Sequence, residues 1–272
     1  MTEDQIFRSA IEARGMLVLG CGKMGSAMLA GWLEQGVRPE RVHVVEPAPS
    51  DWLRGTGVGL PGAVPEAPAV LLVAVKPQMM TDALPDVARF GGGQTLVVSV
   101  AAGVTLATLE AAFGAGTPVV RAMPNTPAAV GRGVTALVAN ADAGAEGLAL
   151  AEGLMTAVGA TVRLASEGQM DAVTGLSGSG PAYVFHLVEA MAAAGEAEGL
   201  APELAMTLAR ATVAGAGALL DASDETAAQL RRNVTSPNGT TAAGLEELMP
   251  RLPDLLRRTV GAAAARSREL GA

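Results

Sequence analysis

Cysteine, histidine and aromatic residues are all scarce in this sequence of 272 residues, which has one Cys, two His and an aromatic content of 3%. With Cys21 alone, an intrachain disulfide cannot form, and a zinc site would lack its usual ligands. We therefore predict no bound metal and a reducing, cytoplasmic location. Because aromatic residues are so few, the core must be built from Ala, Val, Leu and Met.

Positive charge is also limited. Asp and Glu number 27 against 19 Lys and Arg, which gives a formal net charge of −8. Nucleic acids and anionic membrane surfaces bind basic patches, so we expect neither as a partner. No apolar run approaches the roughly 20 residues of a membrane span. Residues 1–14 are too polar for a signal peptide, and we interpret them as a polar extension ahead of the fold.

Short apolar runs alternate with helical patterns over residues 1–165, which predicts an α/β domain with a doubly wound, Rossmann-type parallel sheet. After Leu164 only helical patterns remain, so residues 166–272 are predicted to form an all-α domain. The expected strands are Met16–Gly20, Val42–Glu46, Ala69–Val75, Thr95–Val100, Val119–Met123, Thr135–Ala139 and Thr161–Leu164. The expected helices of the second domain are Ala182–Glu198, Pro202–Leu220, Thr226–Asn233, Thr241–Met249 and Pro253–Leu270.

A glycine-rich turn follows the first predicted strand. Gly20, Gly22 and Gly25 match G-x-G-x-x-G, with Lys23 and Met24 between the last two glycines. In a dinucleotide-binding domain these glycines make the turn, admit the pyrophosphate and let helix and strand touch, while free N–H groups at the helix start meet the phosphate charge. A purely structural glycine turn is the alternative.

Glu46 ends the second predicted strand, 21 residues after Gly25. A carboxylate at this place accepts hydrogen bonds from the adenosine ribose of NAD and would repel the 2′-phosphate of NADP. The alternative is an exposed carboxylate at a strand end.

Two further loops follow predicted strands at their carboxyl ends, the edge where open α/β sheets bind ligands. One comprises Ala74, Val75, Lys76 and Pro77, and the other is Arg121–Pro127, which contains Met123, Pro124 and Asn125. We expect both to line a cofactor pocket. Taken singly, each could be an ordinary turn.

Two segments of the C-terminal half could bind an anion. Gly175–Tyr183 is a glycine- and serine-rich loop that runs into a predicted helix start at Pro181. Val234–Thr241 precedes another helix, where Ser236, Thr240 and Thr241 could cap the helix and Asn238-Gly239 tolerates positive φ. Both segments also have the composition of ordinary helix starts.

Taken together and in this order, the five blocks resemble pyrroline-5-carboxylate reductases, and the resemblance extends from about residue 16 to Leu270. It implies reduction of 1-pyrroline-5-carboxylate to L-proline by hydride from NADPH or NADH, the last step of proline biosynthesis. It also implies a Rossmann domain followed by a helical domain that binds substrate and forms a homodimer or larger homo-oligomer. Helices rich in small residues, which bury little area each, favour such an assembly as well.

The resemblance assigns roles residue by residue. The cofactor-binding residues are Gly20, Gly22, Lys23, Met24, Gly25, Glu46, Ala74, Val75, Lys76, Pro77, Met123, Pro124 and Asn125. The substrate-binding residues are Ser177, Ser179, Gly180, Ser236, Asn238, Gly239, Thr240 and Thr241, of which Thr241 is expected to be catalytic.

Two positions depart from the family pattern. Asn238 stands where a glycine is usual, a mild change because Asn accepts positive φ. Glu46 stands where many relatives carry small polar or basic residues, so the choice between NADH and NADPH stays open and use of NADH is suspected.

Other functions are compatible with parts of the pattern. Another two-domain NAD(P)H-dependent imine or keto reductase, such as a β-hydroxyacid dehydrogenase relative, would use a lysine on a long helix, yet no Lys follows Lys76. A non-catalytic NAD(P)-sensing protein would keep the glycine turn and lose the hydroxyl-rich loop near Ser236.

Overall fold

A computed structural model of the chain describes residues 2–60 and 64–271. The chain divides into two compact units, of which the first comprises Met1–Gly178 and Ala263–Ala272 and the second Ser179–Ala262.

The first unit is built on a seven-stranded sheet with α-helices between the strands. The strands are β1 (Met16–Leu19), β2 (Val42–Val45), β3 (Val70–Val73), β4 (Leu96–Ser99), β5 (Val119–Met123), β6 (Gly133–Ala139) and β7 (Gly159–Arg163). The helices before the second unit are α1 (Glu3–Arg14), α2 (Lys23–Glu34), α3 (Asp51–Gly55), α4 (Met80–Ala83), α5 (Leu106–Phe113), α6 (Gly144–Thr156) and α7 (Met170–Val173). All seven strands predicted from the sequence are present, so the expected Rossmann-type sheet is confirmed.

The sheet runs in the order β2-β1-β3-β4-β5-β6-β7. Alternate residues of β1 enter different cores: Met16 and Val18 belong to one apolar cluster, and Leu17 and Leu19 to another. Because helices cover both faces, the strands read as continuous apolar runs. The order reverses between β1 and β3, and ligands of open α/β sheets bind outside such a switch point.

One strand pair departs from the expected parallel arrangement, because β5 and β6 are antiparallel. Between Met123 and Gly133 the chain forms only a 3₁₀ helix, Thr126–Val130. A parallel crossover needs a dozen or more residues, so this short connection reverses the chain. The next pair, β6 and β7, is parallel again and is joined by α6.

The N-terminal residues differ from the polar extension expected of residues 1–14. They form α1, which is capped by a reciprocal pair of hydrogen bonds between Thr2 and Gln5. Phe7 and Ile11 on this helix are 0% and 1% exposed, and a Cβ on Gly153 of α6 would lie 2.7 Å from Phe7 Cβ. Helix α1 is thus an integral part of the first core. The capping box and the i, i+4 apolar pair were the sequence signals for it.

The division of the chain also differs from the boundary expected at residue 165. Residues 166–178, which include α7 and the π-helix Thr174–Gly178, belong to the first unit, and so do the final residues. Polar contacts within that unit explain this grouping: Glu167 pairs with Arg121, and the Ser267 hydroxyl donates to Asp171 Oδ1 at 2.6 Å. The periodicity of apolar residues in the sequence shows where the strands end. It does not show which unit the following segment packs against, because that depends on side-chain contacts.

The second unit is helical throughout its described residues. The C-terminal helices are α8 (Gly180–Ala197), α9 (Pro202–Ala222), α10 (Ala227–Asn233), α11 (Thr240–Leu248) and α12 (Leu252–Gly271), the last of which ends in the first unit. All five correspond to predicted helices. Only three alanines of the second unit, Ala192, Ala205 and Ala209, form a buried cluster, with Val188 and Met191 packed against it.

Helix α9 differs from the expectation that no segment suits a membrane span. This helix of 21 residues contains an 18-residue window with a mean hydropathy of 1.2, enough by length and composition to cross a membrane. The expectation missed it because alanines raise the hydropathy without a run of large apolar side chains, and because Arg210 interrupts the pattern. Leu204, Leu208, Leu219 and Leu220 are 48–51% exposed on this helix.

We expect Phe7→Ala to lower the free energy of unfolding by about 3–5 kcal/mol, because it removes a fully buried ring and leaves a cavity beside Trp32. Denaturant unfolding at fixed protein concentration measures the change. Trp52→Ala is the matched control, since Trp52 is 46% exposed and should cost less than half as much. Equal losses in the two variants would show that α1 is peripheral.

Candidate active site

The glycine turn after β1 lies at the switch point of the sheet. Gly20 has φ +89°, and its N–H donates to the Val45 carbonyl at 2.8 Å. A Cβ on Gly20 would lie 2.8 Å from Val75 Cγ1 and 3.1 Å from the Ala74 carbonyl carbon. The turns after β1 and β3 are therefore in backbone contact, as was expected of loops that share the carboxyl edge.

The other two glycines of the turn have contrasting surroundings. A Cβ on Gly25 would lie 2.7 Å from the Gly20 carbonyl oxygen, so this glycine allows α2 to approach the strand. A Cβ on Gly22 would meet no described atom within 4 Å. Gly22 is the N-cap of α2, and no described side chain caps that helix start. The first N–H groups of α2 thus have no side-chain cap among the described residues, which is the arrangement that binds a phosphate.

Glu46 reaches the same turn from the end of β2. Its Oε2 accepts a hydrogen bond from the Cys21 N–H at 2.8 Å, and its Oε1 accepts from the Ala48 N–H at 3.2 Å. A carboxylate can accept about four hydrogen bonds, so two sites remain for a ligand. Glu46 therefore orders the turn as well as presenting negative charge beside it.

Cys21 is 9% exposed within the turn. Burial raises the pKa of its thiol above the ordinary value, a hydrogen bond from Ser26 lowers it, and the negative charge of Glu46 raises it. Since the thiolate is the nucleophilic form, a raised pKa keeps Cys21 in its unreactive thiol form at neutral pH.

Lys76 begins the loop after β3. Its side chain is exposed, and among the described residues it forms no ion pair within 4 Å. Pro77 starts a 3₁₀ helix, Pro77–Met79, that ends the strand's path. A cation thus stands on the same edge as the glycine turn.

The loop after β5 contacts the π-helix. The Asn125 Nδ2 donates to the Ser177 carbonyl at 3.2 Å, and its Oδ1 accepts from the Val134 N–H at 2.9 Å. The Met123 methyl carbon lies 2.7 Å from where a Cβ of Gly178 would be. The structure therefore brings Ser177, a predicted substrate residue, next to Met123 and Asn125, which were predicted for the cofactor.

Arg121 and Glu167 form an ion pair at this edge that the sequence analysis did not find. The Arg121 side chain is 6% exposed, and its guanidinium donates to Glu167 Oε1 at 2.8 Å. The same oxygen accepts from the Leu106 N–H at the start of α5, also at 2.8 Å. An arginine within an otherwise apolar strand was the available signal, but its partner lies 46 residues away in the chain.

The remaining predicted substrate residues belong to the second unit. Ser179 is the N-cap of α8, which begins at Gly180 with no described side-chain cap and has Pro at its first or second position. Loop 236–241 contains Asn238 with φ 58°, the positive value that its sequence predicted. Gly239 is the N-cap of α11, whose start has no described side-chain cap.

The hydroxyl capping expected of Ser236, Thr240 and Thr241 is therefore wrong. Helix α11 includes Thr240 and Thr241 in its first turn, too late in the chain for them to act as N-caps. Ser236 instead uses its carbonyl, which accepts from the Gly239 N–H at 3.0 Å. The result is a helix start whose N–H groups are open to an anion, beside two exposed hydroxyls.

Comparison with known proteins identifies the family. Residues 167–270 match the model of the pyrroline-5-carboxylate reductase dimerisation domain, and residues 16–103 match that of coenzyme F420-dependent NADP oxidoreductases. The chain is 42% identical over 262 residues to a pyrroline-5-carboxylate reductase of Synechocystis sp., with 93% of this chain and 97% of that one covered. The chain belongs to the pyrroline-5-carboxylate reductase family.

Solved structures of pyrroline-5-carboxylate reductases have the same fold as this chain. The enzyme of Coxiella burnetii matches with a TM-score of 0.90 and 33% identity, covering 95% of this chain and 99% of that one. The Plasmodium falciparum enzyme, solved with NADP bound, matches with a TM-score of 0.82 and 27% identity, covering 96% and 99%. The predicted enzyme class, an NAD(P)-dependent reductase of 1-pyrroline-5-carboxylate that forms proline, is confirmed.

We expect Gly25→Ala to destabilise this pyrroline-5-carboxylate reductase by about 1–3 kcal/mol, because the added methyl would clash with the Gly20 backbone. Gly22→Ala should stay within about 1 kcal/mol of the parent, since its methyl would enter open space and its φ of −70° suits alanine. Denaturant unfolding compares the two. Equal destabilisation by both variants would contradict the described geometry of the turn.

Proposed function

We propose that the first unit holds NADPH or NADH along the carboxyl edge of its sheet and that loop 236–241 holds 1-pyrroline-5-carboxylate for reduction to L-proline. The open, uncapped start of α2 at the switch point supports this proposal most directly. The family membership supports the choice of substrate.

The described residues suit a dinucleotide. In our proposal the pyrophosphate lies against the N–H groups of Gly22, Lys23, Met24 and Gly25, where helix dipole and free donors favour negative charge. Lys76 adds a cation on the same edge, and the space over Gly22 accommodates close approach of the phosphates. The other proposed cofactor contacts are Gly20, Ala74, Val75, Pro77, Met123, Pro124 and the backbone of Asn125.

The chain's part in the reaction is chiefly to bind and orient. A bound reduced nicotinamide supplies the hydride that adds to the imine carbon. We assign the substrate carboxylate to the N–H groups at the start of α11 and to Ser236, Asn238, Gly239 and Thr240, with further support from Ser177, Ser179 and Gly180. Thr241 is assigned a hydrogen bond to the ring nitrogen. Loop 236–241 contains no His, Asp or Glu, so a carboxylate there meets no side chain of like charge.

The direct test is oxidation of NADH and of NADPH by the purified protein with 1-pyrroline-5-carboxylate, followed by absorbance and by detection of proline. Gly22→Ala provides the cofactor control: it should remain folded while binding either nicotinamide more weakly, because its methyl fills the space proposed for the pyrophosphate. Absence of proline formation by the parent protein would refute the proposal.

We propose further that NADH is used at least comparably to NADPH. Glu46 places a carboxylate beside the glycine turn, where it can accept from a ribose diol and repels a 2′-phosphate. A tenfold change in selectivity corresponds to about 1.4 kcal/mol, which one charge can supply.

We expect Glu46→Gln to raise kcat/KM for NADPH relative to NADH by roughly tenfold. Gln keeps an oxygen for the Cys21 N–H and removes the charge, whereas Glu46→Ser removes both and tests the role of the bond. Steady-state kinetics with each cofactor measures the ratio. A parent enzyme that strongly prefers NADPH, or variants with no gain, would rule out this explanation.

We expect Thr241→Ala to lower kcat/KM for 1-pyrroline-5-carboxylate by roughly tenfold or more, because a buried hydrogen bond of this kind is worth about 1–3 kcal/mol. The affinity for the cofactor should stay unchanged. Thr259→Ala is the control, since the Thr259 hydroxyl donates to the Leu255 carbonyl within its own helix. If Thr241→Ala lost cofactor affinity and turnover equally, the assignment of loop 236–241 to the substrate would be wrong.

We propose that the second unit assembles the chain into at least a homodimer. It has a small buried alanine cluster and many exposed large apolar residues, and its sequence matches the dimerisation model. The exposed apolar side chains of α9 suit a second copy of the chain. Light scattering should give at least a dimer at micromolar concentration, and a stable, active monomer would refute the assembly.

We also propose a cytoplasmic location. A single, buried cysteine suits a reducing compartment, where no disulfide is needed. Fractionation of cells that express the chain, with activity followed in each fraction, tests it; activity confined to a membrane or secreted fraction would oppose it.

A further inference from the structure

Asn125 links three segments of the first unit through one amide. Its Nδ2 donates to the Ser177 carbonyl in the π-helix Thr174–Gly178, and its Oδ1 accepts from the N–H of Val134 in β6. Both polar atoms of the side chain thus have protein partners. An amide held in this way has a fixed orientation and can act as a brace between the two segments.

The π-helix that Asn125 holds is an uncommon element, and such turns occur often at functional sites. Its hydroxyls are turned inward along the chain: Thr174 donates to the Met170 carbonyl at 2.9 Å and Ser177 to the Val173 carbonyl at 3.1 Å. Ser177 is therefore held through its hydroxyl by its own turn and through its carbonyl by Asn125.

A second contact holds the same two segments together. The Met123 methyl group packs against the backbone of Gly178 in the space that a Cβ would occupy. Residues 123–125 therefore contact the end of the π-helix at two points, one polar and one apolar.

We propose that Asn125 is a positioning residue for hydride transfer, which acts by fixing Ser177 against the loop of Met123 rather than by binding the cofactor through its amide. This inference rests on the proposed function, in which Ser177 serves the substrate and Met123 the cofactor. Transfer between oriented partners depends steeply on geometry, and a displacement of about 1 Å can cost on the order of 100-fold in rate.

The test variant is Asn125→Asp, which keeps an oxygen for the Val134 N–H and loses the donor to Ser177. We expect kcat to fall by about tenfold, while KM for the imine and the Kd of NADPH from fluorescence titration change by less than about twofold. The kinetic isotope effect with NADPH deuterated at C4 of the nicotinamide should rise, because hydride transfer becomes more rate-limiting.

Asn140→Asp is the matched control. Asn140 is likewise held through both polar atoms of its amide, accepting from the N–H groups of Val119 and Ala143 and donating to the Thr117 carbonyl and to Glu110 Oε1, but it lies at the amino end of β5. The folded Asn140→Asp enzyme should keep its kcat and its isotope effect even where its melting temperature falls.

Gly178→Ala provides a second route if Asn125→Asp does not fold. Its methyl group displaces only the flexible end of Met123, so the fold should be retained while the contact shifts. We expect a similar fall in kcat, with the Kd of NADPH rising by a smaller factor because Met123 is itself a proposed cofactor contact.

Three outcomes would overturn the inference. One is an unchanged kcat in Asn125→Asp or, where that variant is unfolded, in Gly178→Ala. Another is a loss of NADPH affinity in Asn125→Asp that matches the loss in kcat, which would make Asn125 a direct cofactor residue. The last is an equal kinetic effect of Asn140→Asp. A parent enzyme that forms no proline would instead contradict the proposed function itself.

Discussion

The contact between the turns after β1 and β3 is the constraint on which the first unit depends. Gly20 brings its backbone against Ala74 and Val75, and Gly25 brings helix α2 against Gly20. A side chain at either glycine would separate these elements. Because the contact lies where the strand order reverses, it also forms the crevice that the proposed cofactor needs. Packing and function therefore require the same glycines.

A second group of contacts holds residues 166–178 to the sheet. The buried Arg121 pairs with Glu167, which also accepts from the start of α5, and Asn125 holds Ser177. Pairing a buried arginine offsets part of its desolvation cost, whereas removing its partner would leave an uncompensated charge. These polar contacts explain why a segment of helical turns belongs to the sheet unit.

Much of the fold could be predicted from the sequence, because strands buried on both faces read as continuous apolar runs and the C-terminal helices have clear ends. Helix α1 was missed because charged residues around Phe7 and Ile11 hide its narrow apolar face. The antiparallel pairing of β5 and β6 follows from the short connection between them, whereas the alternation of apolar runs and helical patterns predicted only parallel strands. In the candidate site, the positive φ of Asn238 agrees with its sequence because it is a local property of the residue. The contact of Asn125 with Ser177 and that of Arg121 with Glu167 could not be predicted, since these partners lie 52 and 46 residues away in the chain.

Helix α12 ends beside the loop after β4, where a Cβ on Gly271 would lie 2.9 Å from the Gly103 carbonyl oxygen. Ser267, 5% exposed, fixes the same end of the helix to Asp171. The first unit thus contains residues that are synthesised after the whole of the second unit, although domains commonly fold in order from the N-terminus as they are made. The packing of this end of α12 must wait until the second unit has been translated, so the first unit stays incomplete during that time.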